Sequence, residues 1–134
     1  MPPEFRETKL QQLLSAYYSQ LNNESDIHFT FLNSGENGRF SKDDELVIYR
    51  IIMEITQNIH KHSNASEATI QLIYFDTKLE IMCEDNGRGF LTDTKVGIGL
   101  KNIHSRVQYL NGKIRIDSSP MGTTIMIEIP FSEK

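Results

Sequence analysis

The chain has 134 residues, 38% of them hydrophobic and 24% charged, with a net charge of −4. That length fits one compact domain with its own core, and the composition excludes a disordered segment. The acidic balance argues against a nucleic-acid binder, no apolar run approaches the ~20 residues of a membrane span, and the single Cys83 excludes an internal disulfide.

Residues 4–21 carry Phe5, Leu10, Leu13, Leu14, Tyr17 and Leu21 as one stripe, which predicts a helix. Ile27, Phe29 and Phe31 alternate with polar residues, so 26–32 reads as a strand, and 33–38 reads as a turn. Ser41 has the chemistry of a helix N-cap, and Asp43, Asp44 and Glu45 suit the positive end of a helix dipole. That helix is expected to run from 42 to about 62. Strands are predicted at 67–75 and 78–85, joined at Asp76-Thr77, with Cys83 as a buried structural thiol. A glycine-bearing loop covers 86–97. A helix over 98–110 follows, with Leu100, Ile103, Val107 and Leu110 at helical spacing and a stop at Asn111-Gly112. A hairpin closes the chain: 113–117, a turn at 118–121, then 123–129. Interleaved helices and tight strand–turn–strand links predict an α+β class: a two-layer sandwich of a mixed, mostly antiparallel sheet with helices on one face.

Four stretches carry chemistry. On a straight helix, Glu54, Asn58, Lys61 and His62 share one face, which is either a solvated surface or a polar site. The run from Glu84 to Phe90 takes a strand into Asp85 and then Gly87-Arg-Gly89, either a plain surface turn or a close approach to a ligand. Gly97-Ile-Gly99-Leu100 puts glycines at a helix start, where free N–H groups hold anions. Gly122-Thr123-Thr124 opens the last strand, and alone it reads as a hairpin turn.

In this order and spacing, the four stretches resemble the boxes of the histidine kinase ATPase family, whose nucleotide pocket is the Bergerat fold. Glu54 to Ser63 is similar to its N box, Asp85 to Phe90 to its first glycine box, Gly97 to Leu100 to its second, and Gly122-Thr123 to its last. Leu100 through Gly112 resembles the subgroup that pairs with helix-turn-helix response regulators. The likeness covers about 40–131. Residues 1–32 resemble the linker-proximal helix and first strand, and 33–134 the ATP-binding core, of what is expected to be a single domain. The family's last box has a further glycine where Pro120-Met121 stand here.

The resemblance implies a protein-histidine kinase using ATP and Mg²⁺. Asp85 would accept from the adenine amine, with Thr123 bracing that edge. Gly87 and Gly89 would let the chain pass close to the nucleotide. Asn58 would give an oxygen to Mg²⁺, and Lys61 and His62 would reach phosphate oxygens. Gly97, Gly99 and Leu100 would cap a short, mobile lid over 90–96, and Glu54 would be general base. The family's acceptor histidine precedes an acidic residue, whereas the four histidines here precede Phe29, Lys61, Ser63 and Ser105. The acceptor is therefore expected on dimerisation and phosphotransfer helices elsewhere in the full-length protein, with a response regulator receiver downstream. A cytoplasmic location is expected, with no nucleic-acid partner and no direct membrane contact from this segment. An anti-sigma-factor type serine kinase and a non-catalytic ATP-binding scaffold remain alternatives.

Overall fold

The computed structural model describes residues 9–35, 40–88 and 94–131, with 94–98 described by backbone alone. Helix α1 spans Leu10–Glu24 and strand β1 His28–Ser34. Helix α2 spans Lys42–Asn58 and passes directly into a π-helical turn, Ile59–Ser63. Strands β2 (Glu67–Tyr74) and β3 (Lys78–Asp85) follow, then helix α3 (Thr94–Tyr109), β4 (Lys113–Ser119) and β5 (Gly122–Pro130).

The five strands form one sheet in the order β1-β2-β3-β5-β4. Only β1 and β2 pair in parallel; every other neighbour is antiparallel, so the sheet is mixed as expected. Alternation sets the faces. Phe29, Ala68, Ile70, Leu72, Leu79, Ile81, Cys83, Ile125, Ile127 and Ile129 are buried, and they stack with Ile48, Ile51, Ile52, Ile55 and Ile59. Each leucine, isoleucine or phenylalanine among them contributes about 1.5–3 kcal/mol relative to exposure, so this layer is the principal source of stability. Burial pushes the Cys83 thiol up to about 12, with Asp85 adding to the shift, which makes it a packing residue.

The α2 N-terminus forms as predicted: Ser41 is extended, and its hydroxyl accepts from the Asp44 amide at 3.1 Å. At the other end of α3, Asn111 takes the left-handed conformation at φ 59°, and the Gly112 amide returns to the Val107 carbonyl at 2.9 Å. Helix α1 is tied to α2 from within. The Thr56 hydroxyl donates to the Ile52 carbonyl at 2.8 Å, so Tyr18 donates to Thr56 at 2.6 Å. The Tyr18 ring also stacks on Phe29 and Phe31.

Three expectations change. The first helix begins at Leu10, after an extended Lys9, and runs to Glu24; residues 4–8 of the expected span lie outside the described residues. The first strand is displaced to His28–Ser34, because β1 follows the parallel register set by Glu67–Ile73. The last long helix begins at Thr94, four residues earlier than predicted, so Gly97 is helical along with Gly99. Glycine costs a helix roughly 1 kcal/mol against alanine, which is why sequence alone reads this stretch as loop. Here the missing Cβ lets α3 approach α2.

Candidate active site

Two clusters assemble at one end of the sheet. The first is built by strand register. Asp85 closes β3 opposite Thr123 of β5. One Asp85 carboxylate oxygen accepts from the Gly87 amide at 2.8 Å, which turns the chain sharply after the strand. Burial raises the Asp85 pKa, and the Gly87 hydrogen bond pulls it partly back. Thr123 is buried, and its hydroxyl is shared with Ser118 at 2.8 Å. Gly122 holds φ at +145°, and a Cβ there would collide with the Asp85 carbonyl oxygen. The close approach at the last box is thus β5 backbone to β3 backbone.

The second cluster lies on α2. Glu54 and Asn58 stand one turn apart, and Gly99 of α3 packs directly on both. A Cβ at 99 would be 3.1 Å from a Glu54 carboxylate oxygen and 3.2 Å from either end of the Asn58 amide. Asn58 is only 5% exposed, and its Nδ2 has no hydrogen-bond partner. A buried, unsatisfied amide costs about 1–3 kcal/mol, so its retention needs a reason. Amide oxygen and nitrogen exchange by a flip, so this side chain can present its oxygen to a bound cation. Magnesium keeps several waters and is shared with phosphate oxygens, so one neutral protein ligand with a neighbouring carboxylate suits it. The residues present therefore fit the ion.

Between the clusters lies the π-helical turn. The Ser63 carbonyl accepts from the Arg88 amide at 2.8 Å, and the His62 carbonyl from Arg88 Nε at 3.3 Å. Gly87 is buried against Ser63, where a Cβ would overlap the Ser63 carbonyl. Asn86 adds a clamp: its side-chain oxygen accepts from the Ser66 and Glu67 amides at 2.9 and 3.0 Å, and its nitrogen donates to Ser66 Oγ at 2.9 Å. The residues around Asp85 thus bond back to the end of α2.

This turn corrects the straight-helix face expected for Glu54, Asn58, Lys61 and His62. A π turn holds an extra residue, so angular spacing changes after Asn58. Lys61 is exposed and lines a separate groove with Tyr17, Gln20, Leu21, Glu24, Gln57 and His60. His62 is half-buried beside Arg88. Leu100 packs against the core behind Gly99. Gly89 and residues 90–93 of the expected lid lie outside the described residues, while its last part, 94–96, belongs to α3. Ser63, Asn86 and Ser118 were not singled out by sequence reasoning. A serine two residues before Ala65 and an asparagine after an aspartate are ordinary loop chemistry, with no spacing signal.

The boxes now have a geometry, and a family model confirms their kinship. Residues 43–133 match the model described as histidine kinase-, DNA gyrase B- and HSP90-like ATPase. The chain belongs to that family. It is 34% identical over 122 residues, 89% of this chain, to a protein named signal transduction histidine-protein kinase/phosphatase DegS of Brevibacillus brevis. It spans about a third (32%) of that relative's length. Among solved structures, the histidine kinase domain of a blue-light activated histidine kinase from Erythrobacter litoralis superimposes with a TM-score of 0.69, at 19% identity, over 91% of this chain and 65% of that one. Full-length ShkA in complex with AMPPNP superimposes with a TM-score of 0.73, at 16% identity, over 93% of this chain and 30% of that one. At those identities the structures establish the fold, a histidine kinase ATPase domain with its mixed five-stranded sheet. This family is ATP-binding, and the chain is a catalytic domain of the histidine kinase type. Among the described residues, no helix is long and apolar enough to cross a membrane.

Proposed function

We propose that this domain binds Mg·ATP between its two clusters and transfers the γ-phosphate to a histidine on dimerisation helices of the full-length protein. The observation that carries the reading is the buried Asn58 amide, unpartnered at Nδ2, beside Glu54 and beneath Gly99. Asp85 accepts from the adenine amine; guanine presents an oxygen there, so a carboxylate disfavours it. Thr123, already hydrogen-bonded to Ser118, fixes the same edge. Asn58 would hold the metal, which when bound would neutralise charge on the phosphates. The N-terminus of α3, with Gly97 in its first turn, directs free backbone N–H groups at the phosphates, while Gly99 lets the helix lie on Glu54 and Asn58. Lys61 lines a groove with residues of α1, which makes it a weaker phosphate ligand in this conformation.

Glu54 takes the proton from the incoming imidazole as the nitrogen–phosphorus bond forms and ADP leaves. Phosphoryl transfer needs mainly positioning and charge neutralisation, so this sparse set suffices. A response regulator receiver downstream and a cytoplasmic location follow from the same reading. DegS of Brevibacillus brevis, by its name a histidine-protein kinase/phosphatase, supports it. The test supplies a histidine-bearing dimerisation domain in trans with labelled ATP. Acid-labile, base-stable label on that domain is the expected result. Acid-stable label on a serine, or no transfer despite ATP binding, would overturn it.

A further inference from the structure

The row of side chains that holds the base-edge residues continues one strand beyond them. Strand register sets Ala68, Asp85, Thr123 and Ser118 directly opposite one another across β2, β3, β5 and β4, on one face of the sheet. Ser118 ends the row on β4, the edge strand, where it is half-buried. Its hydroxyl lies 2.8 Å from that of Thr123, which is only 3% exposed. Among the described residues, Ser118 is the one hydrogen-bond partner of the Thr123 hydroxyl. The hydroxyl and methyl branches of a threonine are close in size, so packing alone discriminates poorly between its rotamers. A hydrogen bond discriminates well, because a buried hydroxyl turned away from its partner is left unsatisfied. Ser119 has a different task. It is exposed, and its hydroxyl accepts from the Met121 amide at 3.1 Å, which serves the hairpin turn.

We propose that Ser118 is a positioning residue for the adenine: it holds the Thr123 hydroxyl in one rotamer and so directs that hydroxyl at N1 of the base. The inference rests on the nucleotide binding proposed above and deepens its base end. Asp85 reads the exocyclic amine, a donor, and N1 beside that amine is an acceptor. A hydroxyl has one hydrogen and two lone pairs. When Ser118 donates into one lone pair of Thr123, the Thr123 hydrogen is left for N1, directly or through one water. Ser118 touches no part of the nucleotide and acts only through Thr123. Its place on the edge strand gives β4 a share in base recognition.

The test compares, by calorimetry on this chain, ATP with 1-deaza-ATP, which keeps the amine and carries C–H in place of N1. The wild-type chain should prefer ATP. Ser118→Ala should weaken ATP roughly 3–10-fold, the scale of one neutral hydrogen bond, and leave 1-deaza-ATP unchanged. Thr123→Val should likewise weaken ATP alone, and adding Ser118→Ala to it should change neither affinity further. Ser118→Thr should restore the preference for ATP, and Ser119→Ala should keep it. Equal weakening of both nucleotides by Ser118→Ala would reveal a general defect of the hairpin and overturn the proposal. So would an unchanged ATP affinity, a Ser118→Ala effect that survives in Thr123→Val, or equal binding of the two nucleotides by the wild-type chain. A wild-type chain that binds neither nucleotide would instead fail the nucleotide-site reading beneath it.

Discussion

The two clusters of the proposed nucleotide site are built by different means. The base end is held by the backbone. Asp85 and Thr123 are paired in the β3–β5 ladder, and Gly122 brings one strand's backbone against the other. The phosphate end is held by side chains. Glu54 and Asn58 depend on α2 and on how closely Gly99 lets α3 approach, and Asn58 Nδ2 is left unsatisfied. A ladder fixes position regardless of what is bound, whereas an unsatisfied amide keeps free energy in reserve for a ligand. Changes at the base end should therefore act on affinity and stability together, and changes at the phosphate end on chemistry and phosphate binding with little effect on stability.

The largest separation is expected from Glu54→Gln. The amide keeps the shape of the cluster but cannot take a proton, so Mg·ATP affinity should hold while transfer falls about 10²–10⁴-fold. Single-turnover transfer beside calorimetry measures both, and wild-type turnover would remove Glu54 from the chemistry. Next is Asp85→Asn, which should weaken ATP by roughly 10–100-fold, the equivalent of about 1.5–3 kcal/mol for a charge-assisted hydrogen bond.

The same variant should move stability the other way. Burial raises the folded pKa of Asp85 above its unfolded value, so the folded chain binds that proton more readily than the unfolded one. Stability contributed by this group therefore falls as pH rises from the ordinary carboxylate value through the raised one. Above that window the ionised group carries the full penalty, and below it none. Asp85→Asn should raise the urea midpoint slightly at neutral pH, a gain that vanishes on acidification. A midpoint difference independent of pH would contradict the burial argument.

Two glycines sharpen the contrast at smaller magnitude. Gly87→Ala meets the Ser63 carbonyl and should destabilise the fold by about 1–3 kcal/mol, as overpacking does. Gly99→Ala gains roughly 1 kcal/mol of helix propensity and meets only side-chain ends at 3.1–3.2 Å. It should leave thermal stability nearly unchanged yet weaken ATP more than adenosine, which a paired titration measures. Tyr18→Phe is the smallest: loss of one buried hydrogen bond to Thr56 should cost about 1 kcal/mol. ATP affinity should not change, since among the described residues the Tyr18 hydroxyl bonds Thr56 and no residue of either cluster.

Sequence reading located the strands of the central hairpin to within one residue, because Ile70–Leu72 and Leu79–Ile81–Cys83 alternate cleanly and Asp76-Thr77 cannot be anything but a turn. It placed Glu54 and Asn58 on one face because four residues separate them on a regular helix. It failed one turn later. Nothing in Ile-His-Lys-His-Ser announces a π turn, whose register is imposed from outside by Gly87 and Arg88. It also read Gly97 as the end of a loop, where the helix already begins at Thr94. The roles of Asn86 and Ser118 were invisible because their partners, Ser66 with Glu67 and Thr123, are chosen by the fold and follow no periodicity.

The glycines that make the family legible are of two kinds, and they would age differently. Gly87 and Gly122 face this protein's own backbone, at Ser63 and at Asp85. A descendant that had lost all use for nucleotide would still need both to fold. Gly99 faces two side chains whose only evident task is chemical, so it would be released once Glu54 and Asn58 were released. In a degenerate member of such a lineage, an intact Asp-Asn-Gly turn would record only ancestry. A side chain in place of Gly99 would be the first mark of retirement.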